Sequence, residues 1–455
     1  MKEYQIRESW KSRLGFIFAA LGSAVGLGSI WRFPYVVGEN GGGAFIFAYL
    51  ICLALIGFPV LIGEILIGRA AQSSPAGAFR LLGRTKYWAF GGKTAVVTGF
   101  LISSFYSVIA GWSLGYLVQA ISGRLSHFTG AHDATACFTA LSASSAWTVG
   151  FHLLFMALSL MVLLTGVRKG IELGSKIMMP LLVLVLLILV VKALTMPGAM
   201  AGLSFLFKPE WRLLTPRVLL VALGQAFFTL SLGQGTMVTY GSYLSRDENV
   251  AGSCYPVVLL NTVIALLMGV AIFPIVFSAG MQPQIGSALI FETLPLVFSE
   301  ISFGWALSIL FFTLVALAAL TSEVSALEPV ISYLMDEKGF SRKKAAIAGC
   351  SAAFLLGIPS ALAFGLWKSF TLFGYTFFDL ISSLSINLLV PIGGLMAVVL
   401  VGWRWGMAAA FDNLKIGSHM FDHGRHIAKG YFYVTLKYIA PVMIIFVLLN
   451  VLGVF

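Results

Sequence analysis

The chain has little charge. Only 10% of its 455 residues are Asp, Glu, Lys or Arg, against 59% hydrophobic residues and a mean hydropathy of +0.95. Soluble domains carry about 25% charged residues, so a water-soluble fold is excluded. Cysteine is also scarce: Cys52, Cys137, Cys254 and Cys350 are scattered, with no CxxC pair. That leaves no basis for a metal knuckle or a disulfide framework, and three of the four fall in apolar segments where a small buried residue is expected. No Ser/Pro-rich linker or low-complexity tract interrupts the apolar stretches, so a single membrane domain over 1–455 is expected. The opening MKEYQIRESWKS lacks a cleavage-site pattern, and the first apolar run is expected to remain as a span.

Long apolar runs are what the chain does have. A helix needs about 20 apolar residues to cross the hydrocarbon, and about eleven segments qualify. They lie near 12–37, 43–68, 90–121, 149–166, 174–196, 218–243, 252–280, 301–334, 345–366, 374–402 and 431–454. With the N-terminus inside, all of the 29 basic residues except Arg32, Arg124, Lys192, Lys208, Arg212, Arg217 and Lys368 fall on the inner side. The positive-inside rule therefore predicts a cytoplasmic N-terminus in an inner or plasma membrane, and the odd span count puts Phe455 outside.

Histidine is rare, which bears on catalysis. A literal GxSxG runs from Gly111 through Ser113 to Gly115, the pattern of a serine hydrolase. Such a nucleophile needs a general base, yet His127, His132, His152, His419, His423 and His426 all fall in loops or at span ends. Ser113 reads as a packing residue beside Trp112, and the chain is not expected to be an enzyme.

Glycine punctuates two spans at mid-depth: Gly22, Gly26 and Gly28 in the first, Gly233 and Gly235 in the sixth. Close helix packing through small residues is one explanation. The matched placement, five spans apart and beside Ser23, Ser29, Thr229, Ser231 and Gln234, favours another: broken helices of an inverted repeat enclosing a binding site.

Two segments, WKSRLGFIFAALGSAVGLGSIWRFPYVVGENGGGAF (Trp10 to Phe45) and GQAFFTLSLGQGTMVTYGSY (Gly224 to Tyr243), closely resemble the neurotransmitter:sodium symporter family, in particular its eleven-span bacterial amino-acid transporters. The resemblance runs from Arg7 to TLKYIAPVM (Thr435 to Met443). It implies an all-α membrane protein of leucine-transporter type, a 5+5 inverted repeat with unwound first and sixth helices. Repeat one would cover about 12–196 and repeat two about 218–402, with an additional helix at 431–454. The implied activity is sodium-coupled import of an amino acid by alternating access. A non-transporting amino-acid sensor is the alternative.

The resemblance also implies sites. Two sodium ions are expected. The first would be held by Ala24, Ser29, Thr229, Asn261 and the substrate carboxylate, with Ser29 standing where a leucine-transporting relative has Asn. The second would be held by Gly22, Val25, Ala318, Thr321 and Ser322. Substrate would contact Ala24, Gly26, Leu27, Gly28, Ile102, Tyr106, Phe228, Ser231, Gly233, Gln234, Ser322 and Ala326. Gly26 replaces the Asp of monoamine carriers, which implies an amino acid. Gln234 and Ala326 replace larger apolar residues, which implies a roomier pocket for a hydrophobic, even aromatic, side chain. Arg32 and Asp379 would form an outer gate, and Arg7 and Asp336 an inner one, with Trp10 and Tyr243 beside it. Gly170 and Pro180 match a spacing in the fifth span linked to inward unwinding. Chloride is left open: Tyr49, Gln225, Ser231 or Thr229, and Asn261 match an anion site, but Ala265 stands where relatives have Ser or an acid. Glu64 and Glu323 are the intramembrane carboxyls, either structural or suppliers of negative charge.

Overall fold

The computed structural model describes residues 8–282, 289–417 and 426–454. The first crossing is a broken pair, α1 (Arg13–Ala24) and α2 (Gly28–Glu39), bent by 50°. Then come α3 (Gly43–Ala71), short α4 (Pro75–Gly83), α5 (Lys86–Ile121), short α6 (Ala131–Ala143), α7 (Ser145–Leu164) and α8 (Val167–Leu194). After α9 (Ala199–Phe207), a second interrupted pair, α10 (Pro216–Thr229) and α11 (Thr236–Gly241), leads to α12 (Val250–Ser278) and short α13 (Thr293–Glu300). The chain continues through α14 (Gly304–Lys338), α15 (Arg342–Leu362), a hairpin of β1 (Thr371–Leu372) and β2 (Tyr375–Thr376), α16 (Phe377–Leu414) and α17 (Ile427–Val451).

Among the described residues nine helices are long and apolar enough to cross a bilayer, ten with the bent pair. The α10–α11 pair occupies the place of the remaining expected crossing, although α10 alone has only 14 residues. The short helices α4, α6, α9 and α13, of 9, 13, 9 and 8 residues, were not among the expected segments. They fall below spanning length, so a search for 20-residue apolar runs passes over them.

Local chemistry sets the helix starts. Ser12 Oγ accepts the Gly15 N–H at 3.1 Å at the head of α1, and Asn249 Oδ1 accepts the Gly252 N–H at 2.8 Å at the head of α12. Each satisfies one of the amides a helix leaves open at its first turn. Helices α5 and α14 pack tightly at the centre, where a Cβ added to Gly99 would lie 2.8 Å from the Ala326 carbonyl oxygen.

Both breaks follow from backbone conformations that a helix cannot continue. Val25, with φ −87° and ψ 64°, ends α1, and the chain restarts through a wide π turn at Gly28–Arg32. In the second break Ser231, Gly233 and Gly235 all have positive φ, at 53°, 76° and 80°. Gly233 is required twice over: its φ suits a residue without Cβ, and a Cβ there would run into the Val390 carbonyl.

Candidate substrate and sodium site

The two breaks are stitched directly to one another. Ser23 Oγ donates to Ser231 Oγ at 3.1 Å, and Ser231 Oγ lies 3.0 Å from the Ser23 carbonyl. Beside this seam is a small cavity enclosed by four segments of the chain. The first break contributes Ser23, Ala24, Gly26 and Gly28; α5 contributes Ile102 and Tyr106. Phe228, Ser231 and Gln234 come from α10 and the second break, and Ser322 and Ala326 from α14.

The structure thus gathers ten of the twelve expected pocket residues around one cavity. Leu27 and Gly233 do not line it. The Leu27 side chain is buried in the core, and the residue contributes its N–H, which donates to Tyr106 Oη at 3.0 Å. Gly233 is packed against α16, and its N–H donates to Glu64 Oε1 at 2.8 Å. Ser23 was missed, although its place beside the glycines marks it. Its carbonyl also accepts Ser322 Oγ at 2.8 Å, and its hydroxyl accepts Ser325 Oγ at 2.7 Å.

The groups expected at sodium site one meet in a buried cluster. Ser29 Oγ lies 3.2 Å from the Ala24 carbonyl and 2.9 Å from Asn261 Oδ1, and Tyr49 Oη is 3.2 Å from Thr229 Oγ1. Ala24, Ser29, Thr229 and Asn261 can each turn an oxygen to a cation, which suits a hard alkali ion. The Ser29 hydroxyl therefore reaches Asn261 despite its short side chain. At site two, Thr321 Oγ1 donates to the Ala318 carbonyl at 3.0 Å, and a Cβ on Gly22 would stand 3.1 Å from Thr321 Cβ. The end of α1 thus packs on α14 at Thr321, and the Ser23 carbonyl meets the Ser322 hydroxyl; Val25 is fully buried. No cluster of three His, Cys, Asp or Glu side chains able to hold a metal occurs among the described residues.

Arg32 and Asp379 make no ion pair among the described residues. Arg32 Nη1 donates to Gln225 Oε1 at 2.6 Å and the guanidinium lies 5.0 Å from the Phe228 ring centroid. Asp379 is exposed and engaged in capping α16, where its carboxylate accepts Thr376 Oγ1 at 2.7 Å. Gln225 is committed on both sides, since its Nε2 donates to the Gly28 carbonyl at 2.9 Å.

The end of the bundle near Trp10 is tied by buried hydrogen bonds. Trp10 Nε1 donates to the Tyr240 carbonyl at 3.0 Å, and the Trp10 N–H donates to the Tyr243 carbonyl at 3.1 Å. Asp336 accepts the Ser74 N–H at 2.6 Å at the start of α4; Arg7 lies outside the described residues. A buried network was not anticipated. Arg342 forks onto Glu328 at 2.9 and 2.8 Å, and Tyr243 Oη donates to Glu328 Oε1 at 2.7 Å. Arg342 gave no signal within an apolar run, because it heads a helix and reaches back 14 residues.

The remaining singled-out residues take structural positions. His152 is fully buried but bonds through Nε2 to the Phe354 carbonyl at 3.1 Å, and Ser113 Oγ donates to the Ala110 carbonyl at 2.6 Å. His419, His423 and the side chain of His426 lie outside the described residues. Gly170 lies in a π turn at Val167–Glu172, and Pro180 sits inside the helix that follows without interrupting it. Ala265 is fully buried in α12. Glu64 has one oxygen on Gly233 and one without a hydrogen-bond partner, and neither oxygen of Glu323 has one among the described residues.

Residues 7–148 and 142–455 match the sodium:neurotransmitter symporter family. The chain belongs to that family. It is a sodium-dependent transporter of the sodium:neurotransmitter symporter type and not an enzyme. It is 41% identical over 445 residues to an uncharacterized sodium-dependent transporter, YhdH, of Bacillus subtilis (strain 168), covering 98% of each chain. It is 30% identical over 428 residues to the sodium- and chloride-dependent taurine transporter of Bos taurus, covering 81% of this chain and 68% of that one. Among solved structures it resembles the crystal structure of MhsT in complex with L-phenylalanine, with a TM-score of 0.89, 43% identity, and 98% and 100% of the two chains covered. This family member thus has the leucine-transporter type of fold, with the first and sixth crossings interrupted.

Proposed function

We propose that this symporter imports a hydrophobic amino acid together with two sodium ions by alternating access. The observation that carries the reading is the cavity itself, which lies between two interrupted helices and adjoins the oxygen cluster of Ala24, Ser29, Thr229 and Asn261. A substrate carboxylate beside the Leu27 N–H and Tyr106 Oη would complete the first sodium site, because open amides at a helix start favour an anion. Substrate and cation would then bind better together than apart, which is a coupling free energy. Gly26 supports an amino acid over an amine, since no side-chain carboxylate lines the cavity.

The remaining assignments belong to the same reading. Gly22, Val25, Ala318, Thr321 and Ser322 hold the second sodium; Arg32 and Asp379 close the outer path; Trp10, Tyr243, Arg7 and Asp336 close the inner one. The two repeats span about 12–196 and 218–402, with the N-terminus cytoplasmic and the C-terminus outside. The bound L-phenylalanine of MhsT supports a hydrophobic substrate.

The test is uptake of radiolabelled amino acids into proteoliposomes, with and without sodium and chloride gradients. Sodium-driven accumulation of at least one hydrophobic amino acid is expected. Binding without accumulation would make the protein a sensor, and gradient-independent flux would make it a channel.

A further inference from the structure

We infer that Gln234 reads the far end of the substrate. The pocket would prefer an apolar side chain that ends in a neutral hydrogen-bonding group, such as a phenol or an indole N–H, over its pure hydrocarbon counterpart. This rests on the amino-acid reading above and adds the class of side chain.

Gln234 is the polar lining residue whose side chain has no partner. Ser23, Ser231 and Ser322 bond to one another's hydroxyl or carbonyl oxygens, and Tyr106 Oη holds the Leu27 N–H. Gln234 is 8% exposed and lines the cavity, yet its amide has no hydrogen bond among the described residues. The amide is not among the sealed, unpartnered polar atoms of the interior and so stays open to the cavity; a ligand that fills the cavity strips it of water, and a ligand group that pairs with it gains what an apolar one forfeits. Sites built to hydrogen-bond a substrate group reject the analogue lacking it far more strongly than apolar pockets discriminate by size.

Its backbone is fixed on both sides. Gly233 is held by Glu64 and wedged against α16, and Thr236 Oγ1 donates to the Ser325 carbonyl at 3.2 Å. The amide is therefore presented from a rigid mount.

Gln234 also stands at the correct end. A Cβ on Gly99 would lie 3.1 Å from the Gln234 carbonyl oxygen, so this end of the pocket is level with Gly99 on α5. Tyr106, beside the proposed carboxylate position, lies seven residues along the same helix, a rise of about 10 Å. Between them Ile102, Phe228 and Ala326 offer apolar surface. No charged side chain lines the cavity, so an ionised substrate terminus would be buried unpaired. A neutral donor or acceptor on an apolar stem is what remains.

The experiment compares sodium-dependent binding of tyrosine with phenylalanine, and of tryptophan with naphthylalanine, in the full-length purified transporter and in Gln234→Met. Tyrosine and tryptophan are expected to bind at least about tenfold tighter than their hydrocarbon partners in the wild type. In Gln234→Met both ratios should shrink to within about threefold, through weaker binding of the polar member. Equal affinities within both wild-type pairs, or ratios unchanged by the substitution, would overturn the inference. If Gln234→Met does not fold, the wild-type pairs decide alone. If no amino acid binds in a sodium-dependent way, the amino-acid reading falls and takes this one with it; hydrocarbon side chains binding as well as polar ones would remove only this one.

Discussion

At the scale of single residues, the proposed sites rest on oxygen atoms and on missing side-chain atoms. Asn261 and Thr321 belong to different proposed cation positions, so replacing each with Ala should lower apparent sodium affinity several-fold while the protein still folds. Sodium-titrated substrate binding checks this, and unchanged sodium dependence in both variants would contradict the site map. Gly26 is the stricter case. A Cβ there would stand 2.6 Å from Ser322 Cβ and 2.8 Å from Tyr106 Oη, two groups already held by hydrogen bonds. Gly26→Ala should therefore weaken substrate binding by at least about tenfold, since a packed site cannot yield to an extra methyl without strain; equilibrium binding on the detergent-purified variant tests it. Most of this site was legible in the sequence because glycines and hydroxyl residues at mid-depth in an apolar span have few structural explanations. Ser23 was visible beside them, but which of two neighbouring residues faces a cavity depends on the φ and ψ of the break. Arg32 was readable as a lone intramembrane charge; its bond to Gln225 was not, because that contact joins residues 193 apart.

At the scale of elements, hydropathy places most ends of the long helices within a few residues, although α8 starts at Val167 rather than near 174 and α16 runs to Leu414 rather than to about 402, and it is silent on how those ends are tied. One such tie, at the end proposed as cytoplasmic, is the Glu328–Arg342 pair, whose side chains are 0% and 12% exposed, with Tyr243 carrying the link to the segment just after α11. Removing one partner of a buried pair leaves a charge without compensation, at a cost of about 3–5 kcal/mol, whereas replacing both by apolar residues is often neutral. Arg342→Met should thus loosen this end of the bundle. With native cysteines removed, a cysteine at buried Ser242 should be labelled by a cytoplasmic thiol reagent at least about tenfold faster than in the parent. Arg342→Met combined with Glu328→Leu should restore much of the protection. Equal labelling in all three proteins would show that the pair does not hold the gate.

At the scale of the whole molecule, the arrangement leans to one side. Trp10 and the Glu328 network tie the face proposed as cytoplasmic, while Arg32 and Asp379 make no pair with each other at the face proposed as outer. A carrier that must never open both ways needs the outer contact to form when substrate and sodium arrive, and the release of Arg32 from Gln225 toward Asp379 would supply it. The stoichiometry then fixes what the transporter can do. Each sodium ion descending a roughly tenfold gradient and a roughly 100 mV potential releases about 1.4 plus 2.3 kcal/mol. Two ions together release about 7 kcal/mol and could concentrate a zwitterion about 10⁵-fold; one ion alone could reach only about 500-fold. Reversal-potential measurements in proteoliposomes separate the two, because the sodium and charge terms both scale with the ion number, so a second ion halves the shift that a given substrate gradient causes in the reversal potential. A two-ion reversal is expected in the wild type. In Thr321→Ala the reversal should keep the two-ion value if the second site is merely weakened, and drop to the one-ion value if that cation no longer travels with the substrate. A one-ion reversal in the wild type would mean that the groups facing each other across α1 and α14 hold the helices together without carrying a coupled ion.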